Sequence, residues 1–353
     1  MRAQLDLITL ALVATMAAAC SSDPGTGTTS NGAGGGTTSG AGTTSGSAST
    51  GTGMGSSNVL ASGLFHPVDL ALFDSSVYWT QQGNGINKLA VAGGGMFASI
   101  VTDSDPKSLA VDATGIYWVT TATTPAIMHA GLDGSSPTSV LALDDFGGGK
   151  LRLAGGKLYF AATMGGMPGI YSAPTAGGAA TLLHGGIGIN GVHVADSSGV
   201  VWDELDGSDT VLMHAGLDGS GAAPIATLSI GSSQYFRGFS SDGASVYYGV
   251  RDQGPSPNVS YVYKAAIAGG APAKVFTFTG EIDDCIGDAK GVYFGDNKYE
   301  TAGVYLAGAD GKTSTLIDSE PSGNVRQMAF DATHLVWMSG DDSGATQLHA
   351  ITR

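Results

Sequence analysis

The sequence predicts an all-β, seven-bladed β-propeller, and three observations predict it. A doublet recurs seven times, as Tyr78-Trp79, Tyr117-Trp118, Tyr159-Phe160, Val201-Trp202, Tyr247-Tyr248, Tyr293-Phe294 and Val336-Trp337. The second residue of each doublet follows the previous one by 39 to 46 residues, the length of one four-stranded blade. Glycine supplies 57 of 353 residues while charged residues make up 13%, a composition of tight turns and small side chains rather than of helical bundles.

The chain before the first repeat divides in two. Arg2 supplies positive charge, Leu7 to Val13 an apolar stretch, and Ala17-Ala18-Ala19 small residues ahead of Cys20, the layout of a secretion signal too short to span a bilayer. Small residues directly before a cysteine resemble the bacterial lipoprotein signal. That resemblance implies cleavage after residue 19 and acylation of Cys20; with Ser21 following, it also implies sorting to the outer membrane of a double-membrane envelope. An ordinary cleaved signal with a coincidental Cys20 is the alternative. Residues 20–57 are the anchor and a tether of Ser, Thr, Gly and Ala, which has too little apolar surface to offset the entropy of ordering. A flexible tether of that length reaches roughly 30 to 37 Å.

Residues 58–353 hold the repeats, and the second unit displays all four strands. Leu109 to Asp112 reads as a first strand, Ile116 to Val119 as a second, Ile127 to Gly131 as a third and Thr138 to Leu143 as a fourth. Asp133-Gly134 is a hairpin signal between the third and fourth, repeated at Asp218-Gly219 and Asp310-Gly311. Asp74, Asp112, Asp196, Asp242, Asp288 and Asp331 follow the first strands in one repeat slot and read as turn formers, not metal ligands. The last unit carries three strands only. Residues 58–62 match the fourth-strand pattern and are expected to complete that blade, removing two open edges.

Ile116-Tyr117-Trp118, Ile127, Leu132-Asp133-Gly134-Ser135 and Tyr78-Trp79-Thr80 resemble the YWTD-type repeats of low-density-lipoprotein-receptor-like propellers. The resemblance implies blade structure and a general binding role, with no ligand residue carried over.

Charge narrows the function. Thirty acidic against 15 basic residues give a net charge of -15, which argues against binding nucleic acid through its phosphates. Of the two cysteines, Cys285 falls in an inner strand among apolar equivalents and reads as a buried small side chain. His129, His214 and His349 align in one third-strand slot and would be spread around the ring, whereas His66 and His193 lie nearer first strands. Glu204, Asp206 and Asp209 read as a solvated loop, and Gly147-Gly148-Gly149 as a blade turn.

Propeller sites form where the first strands open on the central channel. Asp69, Lys107, Lys150, Asn190, Arg237, Asp283, Asp284, Arg326 and Gln327 occupy the two slots before the inner apolar pair and are the candidate channel-mouth residues. Asp283-Asp284 with Glu281 is the densest acidic cluster and the place where calcium would bind, although no regular calcium loop is present. The expected role is an envelope-anchored, non-enzymatic module that meets a protein, glycan or small ligand at the channel mouth or loop face. A cation-assisted hydrolase or lyase using Asp283 or Asp284, and a purely structural envelope protein, are the alternatives.

Overall fold

Why the doublets come in pairs is visible in the computed structural model, which describes residues 57–229, 233–297, 302–308, 310–319, 324–340 and 346–353. The signal, Cys20 and the tether lie outside the described residues. Each doublet sits in the second strand of an antiparallel sheet, and these residues form seven such sheets and no helix. Successive side chains of a strand point to opposite faces. Here each face meets a different neighbouring blade. Tyr78 packs with Leu109 and Trp118 of the next blade, whereas Trp79 packs with Val336, Met338 and Leu348 of the last one. Tyr117 and Trp118 divide in the same way, and so do Tyr293 and Phe294.

The seven apolar clusters are therefore seven blade-to-blade interfaces. Each first strand also lies against the first strand of the next blade, and Asn324–Phe330 of blade 7 against Pro67–Phe73 of blade 1. The ring closes.

Closure runs through the segment expected to supply it. Asn58–Leu64 pairs antiparallel with Thr346–Thr352 as the outer strand of blade 7, after His334–Gly340 and Asn324–Phe330. Leu60 and Leu64 are buried with Leu70, Trp79 and Leu348, so the strand fastens blade 7 to blade 1 by apolar contact as well as by its ladder.

The repeated aspartates form turns. Asp112, Asp196, Asp242, Asp288 and Asp331 each accept the backbone N–H two residues on, from Thr114, Ser198, Ala244, Lys290 and Thr333. Asp133, Asp218 and Asp310 do the same in their hairpins. At Gly134 the backbone takes φ +81° and passes so close to blade 1 that a Cβ would lie 1.9 Å from the Ile100 carbonyl oxygen. Any side chain there displaces the neighbouring blade.

Three local expectations are corrected. His349 does not share the slot of His129 and His214. Those two lie opposite the first doublet residue, at Tyr117 and Val201, whereas His349 lies opposite Trp337 and Ala350 holds the slot. This shift of one residue turns His349 to the other face of the sheet, buried and stacked on Trp337. Glu204 is not in a solvated loop: it lies within the strand Gly199–Asp206, paired with both Ile189 and Val211, accepts the Trp202 Nε1–H at 2.7 Å and sits 2.9 Å from His184 Nε2. Gly147-Gly148-Gly149 is no blade turn but a break within the first strand of blade 3, between Asp145–Phe146 and Arg152–Ala154, both paired with Lys157–Met164. Gly149 approaches Gly191 of blade 4 so closely that a Cβ would lie 2.5 Å from its Cα.

Candidate functional site: the central cavity

The first strands share a deviation that the sequence conceals. In six blades the pairing of first and second strand shifts by one residue just ahead of the inner apolar residue. Such bulges re-aim side chains and leave a backbone group unpaired. In blade 3 the broken strand takes the place of the bulge.

Several re-aimed side chains stitch neighbouring blades together. Asp69, 3% exposed, accepts the Leu109 N–H at 3.1 Å and the Ser108 hydroxyl at 2.6 Å through Oδ2. Ser108 Oγ in turn accepts the Leu151 N–H at 2.8 Å. Asp284 accepts the Met328 N–H at 2.6 Å and the Cys285 N–H at 2.9 Å. One slot thus latches blade 1 to 2, blade 2 to 3 and blade 6 to 7. At Gly238 the chain passes against blade 6, where a Cβ would lie 2.0 Å from Cys285 N.

Inside this ring lies a cavity of 820 Å³. Seven of the nine candidate channel-mouth residues line it: Asp69, Lys150, Arg237, Asp283, Asp284, Arg326 and Gln327. The other two turn elsewhere. Lys107 pairs with Asp105 at 2.7 Å, and Asn190 donates to Asp203 Oδ2 at 2.7 Å. His66 and His193, set nearer the first strands by their sequence positions, both line the cavity.

One charged lining group was not singled out in the sequence. Arg152 is held by a hydrogen bond from Nε to the His193 carbonyl at 2.7 Å. The His193 ring stacks on Phe239 with centroids 3.8 Å apart, and its Nε2 meets Asp203 Oδ1 at 2.7 Å. A signal for Arg152 existed. One residue after the inner apolar position the blades carry Ala71, Ala110, Arg152, His193, Ser240, Ile286 and Ala329, so arginine is the charged exception in a row of small or neutral residues.

The lining is electrostatically unlike the rest of the molecule. Lys150, Arg152, Arg237 and Arg326 face Asp69, Asp283 and Asp284 within a chain of net charge -15. Lys150 bonds to both Asp69 Oδ1 and Gln327 Oε1. Arg251 takes Asp283 at 2.8 Å and Glu281 at 3.1 Å. Burial pushes the carboxyls of Asp283 and Asp284 above the usual range, against Arg251 at the first and the Met328 N–H and Lys150 at the second. Burial likewise pushes the Arg152 guanidinium below its ordinary value, with Asp69 and Asp284 opposing.

The acidic cluster does not fit calcium. Both oxygens of Asp284 are taken by backbone N–H groups, and Asp283 and Glu281 share one guanidinium. Among the described residues no three His, Cys, Asp or Glu side chains gather as a cation cage. A calcium site needs six to eight oxygens converging on one point.

Two opposed sets of carboxylates set the expected acid profile. Asp283 and Asp284 titrate above the ordinary value in the folded state, so their contribution is complete at low pH and is lost as pH rises through the raised values. Asp105 is held low by hydrogen bonds from Lys107 and Thr121. Asp242 and Asp331 are pushed up by burial, but their turn N–H groups and side-chain donors outweigh it and hold them low as well. Those three contribute stability above the ordinary value and lose it as pH falls through the lowered ones. The melting temperature is expected to hold or rise as pH falls from 7 to about 5 and to drop steeply below about 4. A steady fall from pH 7 downward, in a calorimetric series, would contradict the assignment.

No protein-family model matches the chain, and no curated protein matches it. Among solved structures it is similar to oligogalacturonate lyase from Vibrio parahaemolyticus, with TM-score 0.59 and 10% identity over 84% of this chain and 93% of that one. An oligogalacturonate lyase in complex with manganese gives 0.55 and 11%, over 79% and 86%. Puromycin hydrolase gives 0.59 and 12%, over 80% of this chain and 51% of that one. At such identities the likeness is one of fold, and it agrees with the architecture: the chain carries a seven-bladed β-propeller built around a central cavity.

Proposed function

We propose that this chain is an envelope-anchored binding module that takes a small ligand in the central cavity of its propeller. The observation that carries the reading is the cavity itself: 820 Å³, at the meeting point of the first strands, lined by apolar walls and convergent charged groups. Small-molecule sites of roughly 300–1,000 Å³ have this make-up. The reading includes acylation of Cys20 and outer-membrane residence, supported by the residues around that cysteine, and kinship with YWTD-type repeats, supported by the doublets. The alternative, a cation-assisted hydrolase or lyase, would work through Asp283 or Asp284, and both are bound to protein groups.

Two measurements test it. A thermal-shift panel of neutral sugars, amino acids, polyamines and organic acids should contain a class that raises the melting temperature, and Ala329→Phe, which narrows the cavity at one of its lining residues, should diminish the shift. If no class shifts the wild-type protein, the cavity is not the site. For the anchor, Cys20→Ser should abolish incorporation of labelled palmitate and release the protein from membranes; unchanged membrane attachment would refute lipidation at this residue.

A further inference from the structure

Two guanidinium groups aimed into the cavity have donors that the protein does not use. Arg152 spends Nε on the His193 carbonyl, and no acceptor among the described residues takes its two terminal nitrogens. It lies deep in the protein yet stays open on the cavity side, where it forms part of the lining. Arg237 spends Nη1 on its neighbour, the Phe236 carbonyl, at 3.0 Å, and rests against the Tyr235 ring at 5.7 Å. Its remaining N–H groups have no acceptor among the described residues, and no described carboxylate lies within ion-pair distance of either arginine. Neither arginine is among the side chains with a buried, partnerless donor; the unused N–H groups of both open on the cavity they line. Two charged forks left free on one cavity wall can take acceptors from outside.

The carboxylates nearby do not supply it. Asp69 is occupied by Lys150, Ser108 and two backbone N–H groups. Asp283 is held by Arg251, and Asp284 by Met328 and Cys285. The free hydrogen-bonding capacity of the cavity is therefore on the cationic side, inside a protein whose overall charge is strongly negative. A guanidinium offers paired N–H groups in a plane that match the two oxygens of a carboxylate or phosphate.

We infer that the cavity recognises a small anionic ligand, with Arg152 and Arg237 gripping its carboxylate or phosphate oxygens and Lys150 adding charge from the side. The inference rests on the cavity being a binding site and adds the chemical class. Arg152 belongs to a different blade from Arg237, so a ligand bearing two anionic groups spans the opening between first strands. His193, bridging the two through its carbonyl and its stack on Phe239, fixes their relative placement.

The test is calorimetric titration of the whole protein, at constant ionic strength, with citrate, pyrophosphate, galactose and spermidine. Citrate or pyrophosphate is expected to bind, and whichever binds identifies carboxylate or phosphate as the preferred group. Arg152→Gln and Arg237→Gln should each weaken that binding at least tenfold, whereas Lys274→Gln, an equal change of charge on the exposed outer strand of blade 5, should not. If Arg152→Gln fails to fold, Arg237→Gln at the cavity rim decides. Binding of galactose or spermidine but of neither anion would overturn the anionic assignment and leave the cavity reading intact. Equal weakening by Lys274→Gln would show non-specific attraction and overturn it too. Binding of none of the four, together with no shift across the wider panel, would defeat both.

Discussion

Removal of residues 58–64 is expected to leave a head that no longer folds cooperatively. The segment is the outer strand of blade 7, pairing Asn58 with Ala350, Val59 with His349, Ala61 with Leu348 and Leu64 with Thr346. Leu64 is fully buried and Leu60 nearly so; burying one such side chain is worth about 1.5–3 kcal/mol. Deletion also exposes the edge of Thr346–Thr352, whose residues are mostly buried in the intact ring, and open apolar edges pair with other chains. The smaller change Leu64→Ala is expected to cost about 2–5 kcal/mol, a large share of the roughly 5–15 kcal/mol that holds a typical domain together. Chemical denaturation read by Trp fluorescence checks both. A deletion variant that melts within a few degrees of the parent would show that the ring does not depend on this strand.

Asp69→Ala carries the second large effect. Its carboxylate serves blades 1, 2 and 3 at once, through the N–H groups of Leu70 and Leu109, the Ser108 hydroxyl and Lys150. Loss of one partner from a buried ionic network costs about 3–5 kcal/mol. The Lys150 pair is the lesser part, because Lys150 keeps 23% of its side chain exposed and solvent screens such contacts. Lys150→Met alone should therefore destabilise much less than Asp69→Ala. In a double-mutant cycle the coupling between the two is expected to be a minor fraction of the Asp69→Ala cost. Were Lys150→Met to cost as much as Asp69→Ala, the latch would be an ion pair and not a backbone clasp.

These residues also mark how far the sequence reaches. The doublets, the aspartate turns and the closing strand are legible because each depends on a local rule: side-chain alternation in a strand, a carboxylate meeting the N–H two residues on, an apolar pattern lacking a partner. The bulges are not, since one extra residue in six first strands leaves composition untouched while changing where Asp69 or Gln327 points. His349 shows the same blindness, where a displacement of one residue against Trp337 exchanges the partly exposed face held by His129 and His214 for a buried one. Lys107 and Asn190 occupy mouth slots by alignment, yet each is drawn off by a nearby carboxylate. Arg152 was visible as an outlier in its row, but only the ring brings that row to the cavity.

The most direct test of the account is hydrogen exchange of the full-length protein, followed in peptides covering 58–64 and 346–352. A ring closed by its first strand, with the cavity at its centre, predicts that the two segments are protected together and open only with global unfolding. Exchange of 58–64 at the rate of an unstructured peptide, while 346–352 stays protected, would contradict it.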